Sequence, residues 1–290
     1  MINLAYWKDQ IAVASEFEIE AKRSLGVVSL LVPNGDPRKP WHLKEIDRLT
    51  TSHRLRWADI EGNGLKVLVN APLTGPTAEA PDYDGHVPLV LYRPGRWKRE
   101  PIGDANEGVQ HGILAIDWDG DGRESILTAS FSGIDRYALQ KNGEWKRIEI
   151  ARGRLAACPK CGSSDIAVGQ LTGERFLAAI EPWHGNEIVV YCHEQRRWQR
   201  FDIDDSLLEG HTILTADLDG DGRDEIIAGF RGGSSGVMIY KANSDGSWVK
   251  SVLDSGMRAN ACVVADLNGR QRRDLACVGG ALLKWYENVR

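Results

Sequence analysis

His211–Gly233 reads HTILTADLDGDGRDEIIAGFRGG: an apolar run, a tight loop of alternating acidic residues and glycines, then a second apolar run. The same grammar recurs in HGILAIDWDGDGRESILTASFSG from His111 and HRLRWADIEGNGLKVLVNAPLTG from His53. It is weaker in ACVVADLNGRQRRDLACVGG from Ala261, and it lacks the acidic loop in DIAVGQLTGERFLAAIEPWHG from Asp165 and in INLAYWKDQIAVASEFE from Ile2. A third run ends in tyrosine at Leu89–Tyr92, Ile188–Tyr191 and Val237–Tyr240, and a tryptophan opens a fourth at Trp41, Trp97, Trp145, Trp198 and Trp248. Short apolar runs bounded by Gly and Asp read as strands. Four strands repeating roughly every 50 residues is the blade period of a β-propeller. The sequence therefore predicts an all-β chain, residues 1–290 as one propeller of six four-stranded blades, with seven as the alternative. It also predicts that the chain ends share one blade, which would remove an exposed sheet edge.

Composition agrees. Of 290 residues, 42% are hydrophobic and 27% charged, with 31 Gly, 10 Trp and 3 Met. That balance suits a folded domain and excludes long disorder. No apolar run reaches the ~18–20 residues of a membrane helix. A net charge of -5 argues against nucleic acid as partner. Met1–Ile11 carries no basic and apolar leader pattern, so the expected location is cytoplasmic. Five cysteines argue against a disulfide scaffold.

In the loop after His211, Asp217, Asp219, Asp221 and Glu225 follow D-x-D-x-D-G-x-x-E. Alternate carboxylates converge on one point, and a hard cation, Ca2+ or Mg2+, is the natural occupant. Asp117, Asp119 and Asp121 repeat the pattern, with Ser125 at the ninth position. In the last unit Arg270 could stand in for the metal. With full charge in two units only, the loops read as structural staples of the first strand turn rather than as regulatory sites.

His53, His111 and His211 open the innermost strands of their units, and His184 lies in a loop between second and third strands. In a propeller these positions share one face. His86 sits in a long version of the same loop, Pro72–Val87, which could fold over as a lid. Neutral imidazoles from separate strands suit zinc with one position left open. The reading places zinc on His111, His184 and His211, with His53 a fourth ligand or a general base. The alternative is that each histidine merely caps its blade. Glu181, Tyr83, Trp183 and Arg231 fall on the same face, where an aromatic ring and polar groups suit a sugar. Cys158-Pro-Lys-Cys161 has the spacing of a zinc pair, which needs two more ligands. Cys277 reads as core.

The acidic loops resemble those of the FG-GAP/VCBS repeat family. HRLRWADIEGNG from His53, the His111 and Gly210 repeats, IEPWHGN from Ile180 and KWYEN from Lys284 together resemble the propeller domain of the aldos-2-ulose dehydratase/isomerase family. The resemblance implies a metal-dependent lyase that dehydrates a ketosugar such as 1,5-anhydrofructose or an aldos-2-ulose. The family enzyme carries seven blades and cupin domains. This sequence has six units and no cupin, which leaves the isomerisation open. Implied roles are zinc polarising the carbonyl, His53 as base, Glu181 or Tyr83 protonating the leaving hydroxyl, and Trp183, Arg231 and His86 holding substrate. The competing classes are a carbohydrate- or protein-binding propeller with calcium-stapled blades and a degraded paralogue, since Ser164 and Ala261 replace the histidine in two units.

Overall fold

The computed structural model describes residues 3–8, 10–195 and 197–289; Met1, Ile2 and Asp9 of the N-terminal stretch lie outside them. Among the described residues there are 23 strands and no helix. The fold is an all-β propeller of six blade sheets. By contact the chain divides into two units, residues 1–162 and 163–290.

The first unit holds three blades, each a four-stranded antiparallel meander. They are β1 (Asn3–Trp7), β2 (Gln10–Ser15), β3 (Val27–Val32) and β4 (His42–Arg48); β5 (Ser52–Ala58), β6 (Val67–Pro72), β7 (His86–Tyr92) and β8 (Arg99–Glu107); β9 (Gln110–Ile116), β10 (Ser125–Ser130), β11 (Gly133–Leu139) and β12 (Trp145–Ala151). The first strands lie against one another, β1 on β5 and β5 on β9. Apolar faces of successive sheets form the cores: Ala12, Val28, Leu55, Trp57 and Leu68 between the first two blades, and Val69, Leu91, Ile113 and Ile126 between the second and third.

The second unit holds β13 (Asp165–Leu171), β14 (Glu174–Glu181), β15 (Glu187–Glu194) and β16 (Arg197–Asp204); β17 (Gly210–Ala216), β18 (Glu225–Phe230), β19 (Gly236–Ala242) and β20 (Trp248–Ser255); and β21 (Ala261–Ala265), β22 (Asp274–Gly279) and β23 (Leu282–Tyr286). Here β13 lies on β17 and β17 on β21. Ile180, Val190, Ile213 and Ile226 fill one core; Ile227, Val237, Leu275 and Cys277 fill the other.

Every sheet is built from consecutive strands. The shared closing blade is therefore not formed among the described residues. Residues 3–48 already supply a complete meander, its fourth strand led by Trp41, and the last sheet stops at three strands.

In four of the six blades a tyrosine of the third strand ties the blade to the one before it. Tyr92 donates to Asp47 of the preceding blade (2.6 Å), Tyr137 to Asn106 (2.9 Å), Tyr240 to Asp204 (2.5 Å) and Tyr286 to Asp254 (2.7 Å). A cation joins three of the four carboxyl or amide groups: Arg99 on Asp47, Lys250 on Asp204 and Lys284 on Asp254. Burying a tyrosine is favourable only if its hydroxyl keeps a partner, and the fourth-strand carboxylate, or the Asn106 amide oxygen, is that partner.

The cysteine expectations change. Cys158 and Cys161 are bonded to each other, not poised as open zinc ligands, because the CPKC turn brings their Cα atoms to 4.7 Å. Cys262 and Cys277 stand directly opposite on β21 and β22 and form a second disulfide. Cys277 is nonetheless fully buried in the core. Cys192 is free.

Candidate functional site

His53, His111 and His211 are each the second residue of a first strand, and each sits on a β-bulge. Ser52 pairs with Pro72 and Arg54 with Ala71, so His53 is the extra residue. Gln110 and Gly112 pair with Ser130 and Ala129 around His111, and Gly210 and Thr212 with Phe230 and Gly229 around His211. The three first strands that lack the histidine, β1, β13 and β21, pair in unbroken register. A bulge bends its strand and re-aims one side chain. The histidines are thus mounted by a backbone device, and no residue type announces it in the sequence.

In the first unit His53 and His111 are buried, with ring centroids 5.0 Å apart and Phe17 5.2 Å from His53 on its own account. Buried Arg54 donates from Nε to the His111 carbonyl (3.0 Å) and approaches His111 Nε2 at 3.4 Å. A guanidinium only donates, so Nε2 of His111 is the acceptor nitrogen in this contact.

In the second unit the IEPWHGN loop joins β14 to β15. The His184 amide donates to Ser164 Oγ (3.3 Å), and the Gly210 amide donates to the Gly185 carbonyl (2.9 Å), which docks the loop on the start of β17. Gly185 is required there: a Cβ would lie 2.2 Å from the Glu181 carbonyl oxygen. His184 and His211 rings meet at 5.2 Å, and Trp183 lies 4.8 Å from His184. His211 Nδ1 is 2.5 Å from the Asn260 carbonyl oxygen. A carbonyl can only accept, so Nδ1 carries the proton and Nε2 presents its lone pair. Zinc-binding histidines show this arrangement, the second nitrogen fixed by an oxygen. Arg231 places a guanidinium nitrogen 3.3 Å from His184 Nδ1, making that nitrogen an acceptor too. Burial lowers the Arg231 pKa; Glu209 opposes the shift and Arg258 adds to it. By donor chemistry, then, His211 has the arrangement of a neutral zinc ligand, whereas His111 and His184 each turn their accepting nitrogen to a guanidinium, a contact that a metal at that nitrogen would displace. Arg54 and Asn260 were not singled out by sequence; the signal for Arg54 is its place directly after a repeat histidine.

The assigned acids fare differently. Glu181 is fully buried and accepts from Tyr191 Oη (2.6 Å), Ser163 Oγ (2.7 Å) and Arg200 Nε (2.9 Å). In this blade Glu181 takes the tyrosine that elsewhere goes to the preceding blade. It anchors the start of the IEPWHGN loop and is not an accessible proton donor, which corrects its assignment as catalytic acid. Tyr83 is buried in the loop between β6 and β7 at φ 52°. Burial, with Glu20 adding, raises its hydroxyl pKa and makes it a poorer acid. His86 is exposed, the first residue of β7 rather than part of a lid.

The acidic loops close on their own chain. Asp217 accepts from the Gly220 and Gly222 amides (2.7 and 2.9 Å), Asp117 from Gly120 and Gly122 (2.8 and 2.9 Å), and Asp59 and Asp266 do the same in their loops. Oxygens of Asp217, Asp219 and Glu225 lie within 4.8 Å of one another. Lys241 on β19 already reaches this set, with its ammonium on Asp219, on Asp221 (2.8 Å) and on Glu225 (3.3 Å). Arg136 on β11 meets Asp119, Arg123 meets Asp121 (2.6 Å), and Arg93 meets Glu61 (2.8 Å). Calcium assigned to Asp217, Asp219, Asp221 and Glu225, or to Asp117, Asp119 and Asp121, would have to share carboxylates already used by side-chain cations.

Acidic strand-turn loops on repeated four-stranded sheets define an FG-GAP-type β-propeller, here one that mounts histidines on bulges. A family model for the aldos-2-ulose dehydratase β-propeller domain matches residues 25–194, and one for the FG-GAP-like repeat matches residues 217–277. The chain belongs to the aldos-2-ulose dehydratase β-propeller domain family. Aldos-2-ulose dehydratase of Phanerodontia chrysosporium is 25% identical over 255 residues, covering 74% of this chain and 27% of that protein. This chain thus spans about a quarter of its length. Among solved structures, the Dos1 propeller aligns with a TM-score of 0.60 at 10% identity, over 98% of this chain and 66% of that one. A lectin of Agrocybe aegerita specific for non-reducing terminal N-acetylglucosamine aligns at 0.54 and 14%, over 97% and 74%. At these identities the likeness is one of fold. Among the described residues no helix is long and apolar enough to cross a membrane.

Proposed function

We propose that this propeller acts on a ketosugar of the 1,5-anhydrofructose or aldos-2-ulose class and removes water from it with zinc as the metal, His211 being the histidine best prepared to hold it. The observation that carries the reading is the bulge at His53, His111 and His211 and the unbroken register of the first strands without such a histidine. Family membership supplies the substrate class. Zinc, when bound, supplies Lewis acidity to the sugar carbonyl oxygen. The chain's own residues do the rest. His53, packed between Phe17 and His111, takes the proton from the carbon beside the carbonyl. With Glu181 consumed as an anchor and Tyr83 a poorer acid, the imidazolium of His53 returns that proton to the departing hydroxyl, and water leaves. Arg54 and Arg231 hold His111 and His184 as acceptors, and the Trp183 ring offers a face to the sugar.

The test is incubation with a panel of keto- and anhydro-sugars while following the ultraviolet absorbance of an enone, with metal content measured in parallel. His211→Ala should lose zinc and turnover together, and His53→Ala should keep zinc and lose turnover. Turnover in metal-free protein would refute the assignment. Glu181's inaccessibility also favours a second reading, a propeller that binds sugars without reacting; its mark is saturable sugar binding with no enone from any substrate.

A further inference from the structure

The CPKC segment lies outside the histidine sites, and its bond does little for the fold. Its loop is closed at the base by backbone, Arg154 and Gly162 exchanging both amide bonds at 3.0 Å. Gly153 and Gly162 pack there at positive φ; a Cβ on Gly153 would lie 2.5 Å from Gly162 backbone, and one on Gly162 2.2 Å from the Ser130 carbonyl oxygen. The Lys160 amide closes an inner turn onto Ala157 (3.0 Å). A disulfide of sequence separation 3 restrains the unfolded chain little, so its contribution to stability is small. Its two sulfurs differ in access. Cys158 is exposed, whereas Cys161 is buried. The second disulfide has Cys277 fully buried in a core, and the remaining thiol, Cys192, has its pKa raised by burial, with Glu194 and Glu174 adding, so it is a weak attacking group. Lys160, within the motif, favours a thiolate nearby.

We propose that Cys158–Cys161 is a reversible thiol–disulfide exchange site for a small monothiol of the glutathione type, and that its state is felt by the His184 loop. The thiolate attacks the exposed Cys158 sulfur, the bond to Cys161 breaks, and Cys161 leaves as a thiolate that takes a proton from water. A second monothiol attacks the mixed disulfide and releases Cys158. Two monothiols are thereby oxidised to one disulfide while the protein pair gains two electrons and two protons. Two residues along the chain from Cys161, Ser163 donates to Glu181 (2.7 Å), and Ser164 accepts from the His184 amide (3.3 Å). Release of the CPKC ring loosens the strand entry that carries both serines. The proposal stands independently of the zinc and sugar readings.

The full chain is equilibrated near neutral pH in graded mixtures of reduced and oxidised glutathione, trapped with a maleimide and mapped by mass spectrometry. Cys158 and Cys161 should label progressively and reversibly while the near-ultraviolet dichroism is kept, with Cys262 and Cys277 unlabelled. Hydrogen exchange in the peptide spanning residues 180–186 should be faster in the Cys158→Ser/Cys161→Ser protein than in the oxidised wild type. Labelling only on loss of the native spectrum would overturn the exchange site. So would a reduced pair that takes one zinc per chain, lost in Cys158→Ser, since the motif would then be a metal pair. Unchanged exchange over residues 180–186 would overturn the link to His184.

Discussion

A neutral imidazole has one donor and one acceptor nitrogen, and which is which depends on what each faces. Asn260 fixes His211 with Nε2 unprotonated, and two guanidiniums fix His111 and His184 as acceptors. The histidines themselves were legible because repeats put them in register. Of their partners, Arg231 was placed on the right face but assigned to substrate rather than to His184. The other two were not legible, since Arg54 looks like any surface arginine and Asn260 like any loop amide until the chain is folded. The same holds for Lys241, whose ammonium stands among the carboxylates that the sequence assigns to calcium. Lys241→Met removes that charge and leaves Asp219, Asp221 and Glu225 facing one another. Because Lys241 is more than a third exposed, the cost without added ions should stay below about 1 kcal/mol. The variant should instead acquire a melting temperature that rises with millimolar-range calcium, while wild type does not respond. A wild-type rise as large as the variant's would remove Lys241 from the role of resident cation.

At the scale of the element, the blade pattern was readable because each of its signals is local: a Gly/Asp turn, an apolar run ending in tyrosine, a tryptophan before the fourth strand. The bulges were not readable, because register belongs to a pair of strands and leaves no mark on either alone. Nor were the lateral ties from tyrosine to the preceding blade, or the loss of Glu181 to Tyr191 and Arg200. The tie at Asp204 makes a measurable prediction. Burial alone would raise this carboxyl, but Lys250, Tyr240 and Ser206 outweigh burial and hold its pKa at about 2. The folded value lies below the unfolded one of about 3.9, so the native state binds the proton less readily. The stabilisation is therefore complete above the unfolded pKa and is lost as pH falls from about 4 towards 2; it is on the order of 2 kcal/mol. Asp204→Asn should flatten the acid limb of a stability profile measured by urea unfolding. Tyr240→Phe should cost roughly 1–2 kcal/mol at neutral pH, since a buried tie loses its donor. An acid limb unchanged in Asp204→Asn would show that the carboxylate carries no such load.

For the molecule as a whole, the sequence yields a propeller because repetition is visible without any knowledge of contacts, and it overestimates closure because which strands share a sheet is settled only by pairing. The chemistry proposed here makes a demand on the stability of the entire chain. An ion that binds side chains positioned only in the native state stabilises that state by mass action, by about 4 kcal/mol at a thousandfold excess over its dissociation constant. Unfolding a protein of this size gives roughly 2–4 °C per kcal/mol, so saturating zinc should raise the melting temperature by about 10 °C over chelated protein. His211→Ala should melt at the same temperature with and without zinc, because its Nε2 lone pair is gone. Cys158→Ser/Cys161→Ser should keep the zinc-dependent rise, which separates the histidine ligands from the CPKC pair. Equal zinc stabilisation of wild type and His211→Ala would mean that the ion binds elsewhere, and the bulge-mounted histidines would then serve only to cap their blades.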